Sequence, residues 1–189
     1  MRIISGDFKG SLLHISKNKK TRPLKDMARE SIFNLLNHSN KISLQLRQST
    51  VLDLYAGTGS FGLECLSRQA KYVCFVENDK IAFKILEKNI EKLKIKKKTK
   101  TFFSDVLNLT KKQNIFKIKF DLIFCDPPFK DEKMDELVKI IFNEKLLKEN
   151  GIIVLHRNKV TNEEFPNYFS IIEERIYGMS KIIFGKFLF

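Results

Sequence analysis

A chain of 189 residues with 43% hydrophobic content suffices for one domain with a sizeable core and a small appendage, and excludes a disordered or fibrous chain. No signal-peptide-like apolar run opens it and no stretch of about 20 apolar residues interrupts it, so the expectation is a cytoplasmic protein without a membrane partner. The formal net charge of +13 favours a polyanionic partner, although 28 lysines against 7 arginines, beside abundant Ile, Asn and Phe, is a skew that base composition alone produces. Placement says more: residues 1–50 carry 10 Lys/Arg and 3 Asp/Glu, which is over half of the net charge. Cys65, Cys74 and Cys125 are odd in number, lack C-x-x-C spacing and sit among apolar neighbours, which predicts buried free thiols.

In chain order, residues 2–5 and 11–15 are short apolar runs flanking G-D-F-K-G and predict a hairpin. Asp26 is placed to cap a helix whose Ala28, Ile32, Leu35 and Leu36 share one stripe, leaving Arg29 off it. Residues 41–49 read as a polar linker. Strand patterns then follow at 51–55, 72–76, 101–103, 121–125 and 151–155. They alternate with helical patterns near 60–68, 79–94, 106–113 and 132–148, the last burying Leu137, Ile140, Ile141 and Leu147. Apolar strands separated by helices predict an α/β fold, a mostly parallel sheet covered on both faces, with ligands at the carboxyl ends of its strands. Two late runs, 169–177 and 181–187, predict a hairpin around Gly178 at the sheet edge. The lysine-rich run at 91–100 reads as a solvated helix end and loop.

The first strand leads into V-L-D-L-Y-A-G-T-G-S-F-G, where Gly57, Gly59 and Gly62 satisfy G-x-G-x-x-G and admit a nicotinamide or flavin dinucleotide. Asp53 inside the strand end, and Tyr55 and Ala56 before the turn, favour S-adenosylmethionine instead. A carboxylate can meet its ammonium group, and small residues let the backbone approach closely. Glu77, followed by Asn78, ends the second strand, placed to accept from both ribose hydroxyls of either cofactor. Asp105 after the third strand can accept from the adenine amine with the Val106 N–H on the ring, or simply cap the next helix. Asp53, Glu77, Asp105 and Asp126 mark successive strand ends and so are expected around one crevice.

After the fourth strand comes C-D-P-P-F. Two prolines remove two N–H donors and leave their carbonyls as acceptors. D/N-P-P-Y/F here resembles the signature of S-adenosylmethionine-dependent methyltransferases that act on exocyclic or amide nitrogens. Such an amine is a poor nucleophile, since its lone pair is delocalised. If Asp126 and the Pro127 carbonyl accept its two N–H groups, the lone pair is aimed at the methyl, with Pro128 shaping the turn and Phe129 stacking on the base.

The resemblance extends further. R-I-I-S-G-D-F-K-G, T-R-P-L-K-D-M-A-R-E-S-I-F-N-L-L, F-V-E-N-D and F-D-L-I-F-C-D-P-P-F look like the RsmD-type methyltransferases of bacterial 16S ribosomal RNA, which modify a guanine N2. It implies a Rossmann-like class I methyltransferase fold with a seven-stranded sheet, an RNA-docking extension at 1–45 and a methyltransferase domain at 46–189. It also implies S-adenosylmethionine as cofactor and 16S rRNA or the small ribosomal subunit as partner, with no DNA expected. By resemblance, Arg22 and Arg29, with Lys9 and Lys25, contact RNA; Gly57, Gly59, Glu77 and Asp105 hold the cofactor; Asp126, Pro127 and Phe129 meet the base. The rival readings are an adenine-N6 or protein glutamine-N5 methyltransferase, a dinucleotide-dependent oxidoreductase and a non-catalytic RNA-binding factor.

Overall fold

Four near-continuous apolar runs, at 51–54, 73–76, 122–125 and 151–155, form the centre of the molecule because each is buried from both sides, which favours β-prone residues without polar alternation, while the run at 99–103 lies half-buried at the sheet edge. The computed structural model describes residues 1–16, 26–110, 115–128 and 133–188. Its elements are α1 (Asp26–His38), β1 (Thr50–Leu54), α2 (Ser60–Ser67), β2 (Tyr72–Glu77), α3 (Lys80–Lys92), β3 (Thr99–Phe103), α4 (Val106–Thr110), β4 (Phe120–Cys125), α5 (Met134–Asn143), β5 (Leu147–Asn158), β6 (Phe169–Tyr177) and β7 (Ser180–Phe187). They build one seven-stranded sheet in the order β3-β2-β1-β4-β5-β7-β6. The pairs among β1 to β5 are parallel, and β7 runs antiparallel to both β5 and β6. This is the expected α/β architecture, late hairpin included. The order reverses between β1 and β4, so a crevice opens at their carboxyl ends.

Successive residues of each strand feed opposite faces. Val51, Phe75, Phe124 and Val154 join a core under α1, α2 and α3, while Leu52, Leu54, Cys125 and Leu155 join one under α4 and α5. Phe61 of α2 stacks between Phe33 of α1, at 5.1 Å, and Phe124 of β4, at 3.8 Å. The N-terminal extension thus shares a core with the sheet. Ile42 and Leu46 are buried in the same cluster, so the stretch expected as a polar linker is a packed segment. All three cysteines are buried free thiols, as expected, and burial pushes Cys74 up to about 12.

One local expectation holds in shortened form and two are corrected. The N-terminal hairpin forms as a short antiparallel pairing: Arg2 bridges Leu12, Ile3 N–H donates to the Ser11 carbonyl, Gly10 N–H to the Ile3 carbonyl and Leu13 N–H to the Met1 carbonyl. Other donors turn to the helices beneath. Ile4 and Ser5 N–H donate to the buried Glu64 carboxylate at 2.7 and 3.0 Å, Phe8 N–H donates to Ser67 Oγ, and His14 N–H donates to Asn89 Oδ1. Gly6, at φ +82°, lies so close to the Ser67 carbonyl that a Cβ would stand 1.9 Å from its oxygen, which seats the turn on α2. Next, the helix expected to reach 148 stops at Asn143, since Lys145 turns left-handed at φ 51° and the N–H groups of Glu144 and Leu146 donate back to Ile140 and Ile141. Leu147 is buried as expected, but from β5. Last, Arg29 is fully buried rather than lying off the buried stripe, and its guanidinium donates to the Arg2 carbonyl at 2.8 Å. The backbone at Arg2 meets that side of α1.

The lysine-rich run is the exposed end of α3 and a short turn, pinned by buried Ile95. Among the described residues, no helix is long and apolar enough to cross a membrane.

Candidate active site

The glycine turn after β1 is held by three side chains from outside it. Tyr55 takes a positive φ of 63°, followed by Gly57 at 57° and Gly59 at 89°, so the chain reverses sharply into α2. Gly59 offers no side-chain cap, and Asp53 supplies one from the strand below: its Oδ2 accepts from Gly62 N–H at 2.9 Å. Glu77 Oε2 accepts from Gly57 N–H at 2.6 Å. Asn89 of α3 donates to the Thr58 carbonyl at 3.0 Å and to the His14 carbonyl at 3.1 Å, tying the loop to the N-terminal extension.

The glycines divide their work. A Cβ on Gly59 would strike Leu86 at 2.5 Å and one on Gly62 would strike Phe75 at 2.3 Å, so those two permit close packing. A Cβ on Gly57 would meet nothing within 4 Å, which leaves open space beside that position of the loop. Ala56 is buried, with its N–H donated to the Val76 carbonyl.

Carboxylates gather beside this opening. Asp53 is buried, and burial holds its carboxyl well above the ordinary carboxylate range. The Gly62 N–H offsets part of this, while the charges of Asp126 and Glu77 push the same way as burial. Glu77 ends β2 and Asp126 follows β4, the two strands that flank β1 and its Asp53. Such a cluster suits a cationic ligand, and S-adenosylmethionine carries both an ammonium and a sulfonium. The open space beside Gly57 and this donor set fit that cofactor.

Glu77 has a second task that the sequence did not disclose. Its Oε1 accepts from Asn78 N–H at 2.8 Å and Asp79 N–H at 2.6 Å, besides the Gly57 bond on Oε2. A carboxylate offers about four lone-pair sites, so one backbone donor must yield for Glu77 to grip two ribose hydroxyls. Asp105 is exposed and caps α4, its Oδ1 accepting from Asn108 N–H at 3.0 Å, while Val106 is buried beneath. The helix-cap alternative for Asp105 is therefore realised, without preventing a ligand contact. Asn78 is exposed at the rim.

On the other side of the crevice stands the D-P-P turn. Asp126 follows the last residue of β4 with its side chain 20% exposed, Pro127 is buried and Pro128 is exposed. Asp126 Oδ1 lies 2.7 Å from His156 Nδ1. The sequence reading missed His156 because it ended the fifth strand at Leu155. The register supplies the signal: Cys125 pairs with Leu155 across parallel strands, so the residues that follow, Asp126 and His156, emerge side by side. Phe129 lies outside the described residues, as do Arg22 and Lys25. Lys9 is exposed on the N-terminal turn, whereas buried Arg29 is not on the surface.

Comparison with known proteins gives this geometry a lineage. The family model described as conserved hypothetical protein 95 matches residues 1–186. Ribosomal RNA small subunit methyltransferase D of Haemophilus influenzae is 32% identical over 95% of this chain and 90% of its own length. The crystal structure of a candidate methylase, HI0767, from the same organism superposes with a TM-score of 0.80 at 29% identity, covering 99% of this chain and 98% of that one. A candidate methyltransferase of Escherichia coli, yhhF, shares the fold with a TM-score of 0.85 at 24% identity, covering 99% and 97% of the two chains. Glycine spacing alone had left a dinucleotide-dependent oxidoreductase open, and a match running from the first residue through the late hairpin closes that alternative: the chain belongs to the RsmD family of S-adenosylmethionine-dependent methyltransferases.

Proposed function

We propose that this protein transfers a methyl group from S-adenosylmethionine to the exocyclic N2 amine of a guanine in 16S ribosomal RNA. The observation that carries the reading is Asp126, partly open at the end of β4, the strand that lies beside β1 and its glycine turn. The name of the Haemophilus relative, a ribosomal RNA small subunit methyltransferase, supports ribosomal RNA as the substrate.

Asp53, the Gly57 face of the loop, Glu77 and Asp105 are the residues that would hold the cofactor. When bound, S-adenosylmethionine supplies an electrophilic methyl group and a neutral thioether leaving group. The protein's part is placement and charge. Asp126 and the Pro127 carbonyl accept the two N–H groups of the amine, which turns its lone pair out of conjugation with the ring. As nitrogen gains its bond to carbon it becomes cationic, and Asp126 stabilises that charge and accepts the proton released. Phe129 is proposed to stack on the base. Extruding a paired base costs a few kcal/mol, so a guanine in a single-stranded loop is the favoured target.

Residues 1–45 are proposed as the RNA-docking extension on a methyltransferase domain at 46–189, with Lys9, Arg22 and Lys25 meeting phosphates. Replacing Arg22 with Ala is expected to weaken RNA association about tenfold at low salt and to flatten the slope of log K against log salt by about one, with cofactor affinity unchanged. Titrations across a salt series measure this, and an unchanged slope removes Arg22 from the docking surface.

The reaction itself is tested by incubating the protein with S-adenosylmethionine and unmodified small ribosomal subunits, or naked rRNA, and identifying the methylated nucleosides by mass spectrometry. N2-methylguanosine is the expected product. N6-methyladenosine would preserve the amine chemistry and replace the base. Methylation of neither RNA would reject an RNA substrate and turn the search to protein glutamine.

A further inference from the structure

Beside Asp126, on the neighbouring strand, stands a histidine that no part of the proposed chemistry has used. Resting on the reading of Asp126 as the amine acceptor, we propose that His156 is its positioning residue: it fixes the carboxylate so that one oxygen is held by the imidazole and the other is presented to the target amine. Two observations carry this. His156 Nδ1 and Asp126 Oδ1 are 2.7 Å apart, the short range of a charge-assisted bond. Their side chains are 8% and 20% exposed, so the imidazole is the more enclosed partner and the carboxylate the one that looks outward.

An ionised carboxylate only accepts, so Nδ1 carries the hydrogen in this pair. That fixes the polarity of the whole relay: imidazole N–H to Oδ1, amine N–H to Oδ2. An unrestrained aspartate at the end of a strand has several rotamers, and only some direct an oxygen at a base plane. The neighbouring strand removes that freedom. Cys125 and Leu155 are paired in the parallel ladder, and the two functional side chains follow them by one residue each, so their spacing is set by the sheet rather than by a loop. Placement of this kind acts on turnover, since an error of about 1 Å at a reacting group costs on the order of 100-fold in rate.

The experiment uses the full-length protein with unmodified small subunits and follows single-turnover methyl transfer, S-adenosylmethionine affinity by calorimetry, and thermal stability. His156→Phe keeps a ring and removes the donor, and is expected to slow transfer by about 10- to 100-fold while the KM for RNA and the cofactor Kd stay within about twofold. His156→Asn, whose amide can set an N–H near the Nδ1 position, is expected to restore the rate to within about fivefold of the parent. In an Asp126→Ala background, His156→Phe is expected to cost no more than about twofold further, because a residue acting through Asp126 has nothing left to position. His156→Leu, also without a donor, gives the same comparison should the larger ring lower thermal stability.

The proposal is overturned if His156→Phe retains the parental rate, if His156→Asn is as slow as His156→Phe at equal stability, or if His156→Phe slows the Asp126→Ala protein as much as it slows the parent. Should Asp126→Ala itself transfer methyl at the parental rate, the reading of Asp126 falls and the positioning role with it. Slow transfer by Asp126→Ala together with fast transfer by His156→Phe overturns the positioning role alone.

Discussion

Asp126→Ala is expected to cut the rate of methyl transfer by about 1,000-fold or more while leaving S-adenosylmethionine affinity nearly intact. The asymmetry follows from where the charge is needed. In the ground state the carboxylate accepts one hydrogen bond from a neutral amine, a contact worth little; as nitrogen becomes cationic the same contact becomes an ion pair in a partly enclosed crevice. An interaction that grows only along the reaction coordinate lowers turnover and leaves binding alone. Asp126→Asn should fall between the two proteins for a reason particular to this chain. An asparagine has one acceptor and one donor group, so if its carbonyl still accepts from His156 Nδ1–H, it turns its NH2 toward the amine, donor against donor. Recovery requires the amide to flip and His156 to change tautomer together. Calorimetry and single-turnover assays on the three proteins measure the split, and equal losses in cofactor affinity and rate would reject the catalytic role.

What the sequence disclosed and what it withheld divide along a physical line. The central strands were legible because burial from both faces writes itself as short apolar runs, and the acids were legible by position, Glu77 closing such a run, Asp126 directly following one and Asp53 lying one residue inside the end of another. Features that depend on partners distant in sequence were not. Glu64 reads as an ordinary helix acid, yet it is fully buried and accepts from the backbone of Ile4 and Ser5, some sixty positions earlier. Arg29 reads as a solvent-facing basic residue because the stripe of Ala28 and Ile32 accounts for only one side of α1, and nothing local shows that the backbone at Arg2 meets another. The end of α5 was misplaced because Lys145 adopts the left-handed conformation that glycine usually marks. His156 was overlooked for a subtler reason: strand length was read from apolarity, and β5 continues through a histidine, a buried arginine and an asparagine, with Arg157 paired to Glu163.

Glu77 is the residue whose loss should most reduce cofactor binding, and the reason lies in its two duties. Its carboxylate accepts from the N–H groups of Gly57, Asn78 and Asp79, bracing the glycine turn against the end of β2, and it borders the surface that the proposed ribose would occupy. Glu77→Ala removes the ribose contact and leaves three backbone donors to find water or each other, at about 1–3 kcal/mol for each one that stays buried and unpaired. S-adenosylmethionine affinity is expected to fall by about 100-fold or more, accompanied by a lower melting temperature of the unliganded protein. Glu77→Gln is not the gentle variant it resembles. The three donors divide between the two oxygens, and an amide presents its NH2 to one of those sets, so either Gly57 or the Asn78–Asp79 pair faces a donor. The glutamine protein should therefore lie closer to the alanine variant than to the parent in both affinity and stability. Asp105→Ala, which removes an exposed cap from one short helix, provides the contrast, with an expected loss within about tenfold. Calorimetric titration with S-adenosylmethionine and thermal unfolding of the unliganded proteins report the two duties separately. A Glu77→Ala protein that binds the cofactor within about threefold of the parent would remove Glu77 from the cofactor site, whatever its melting temperature.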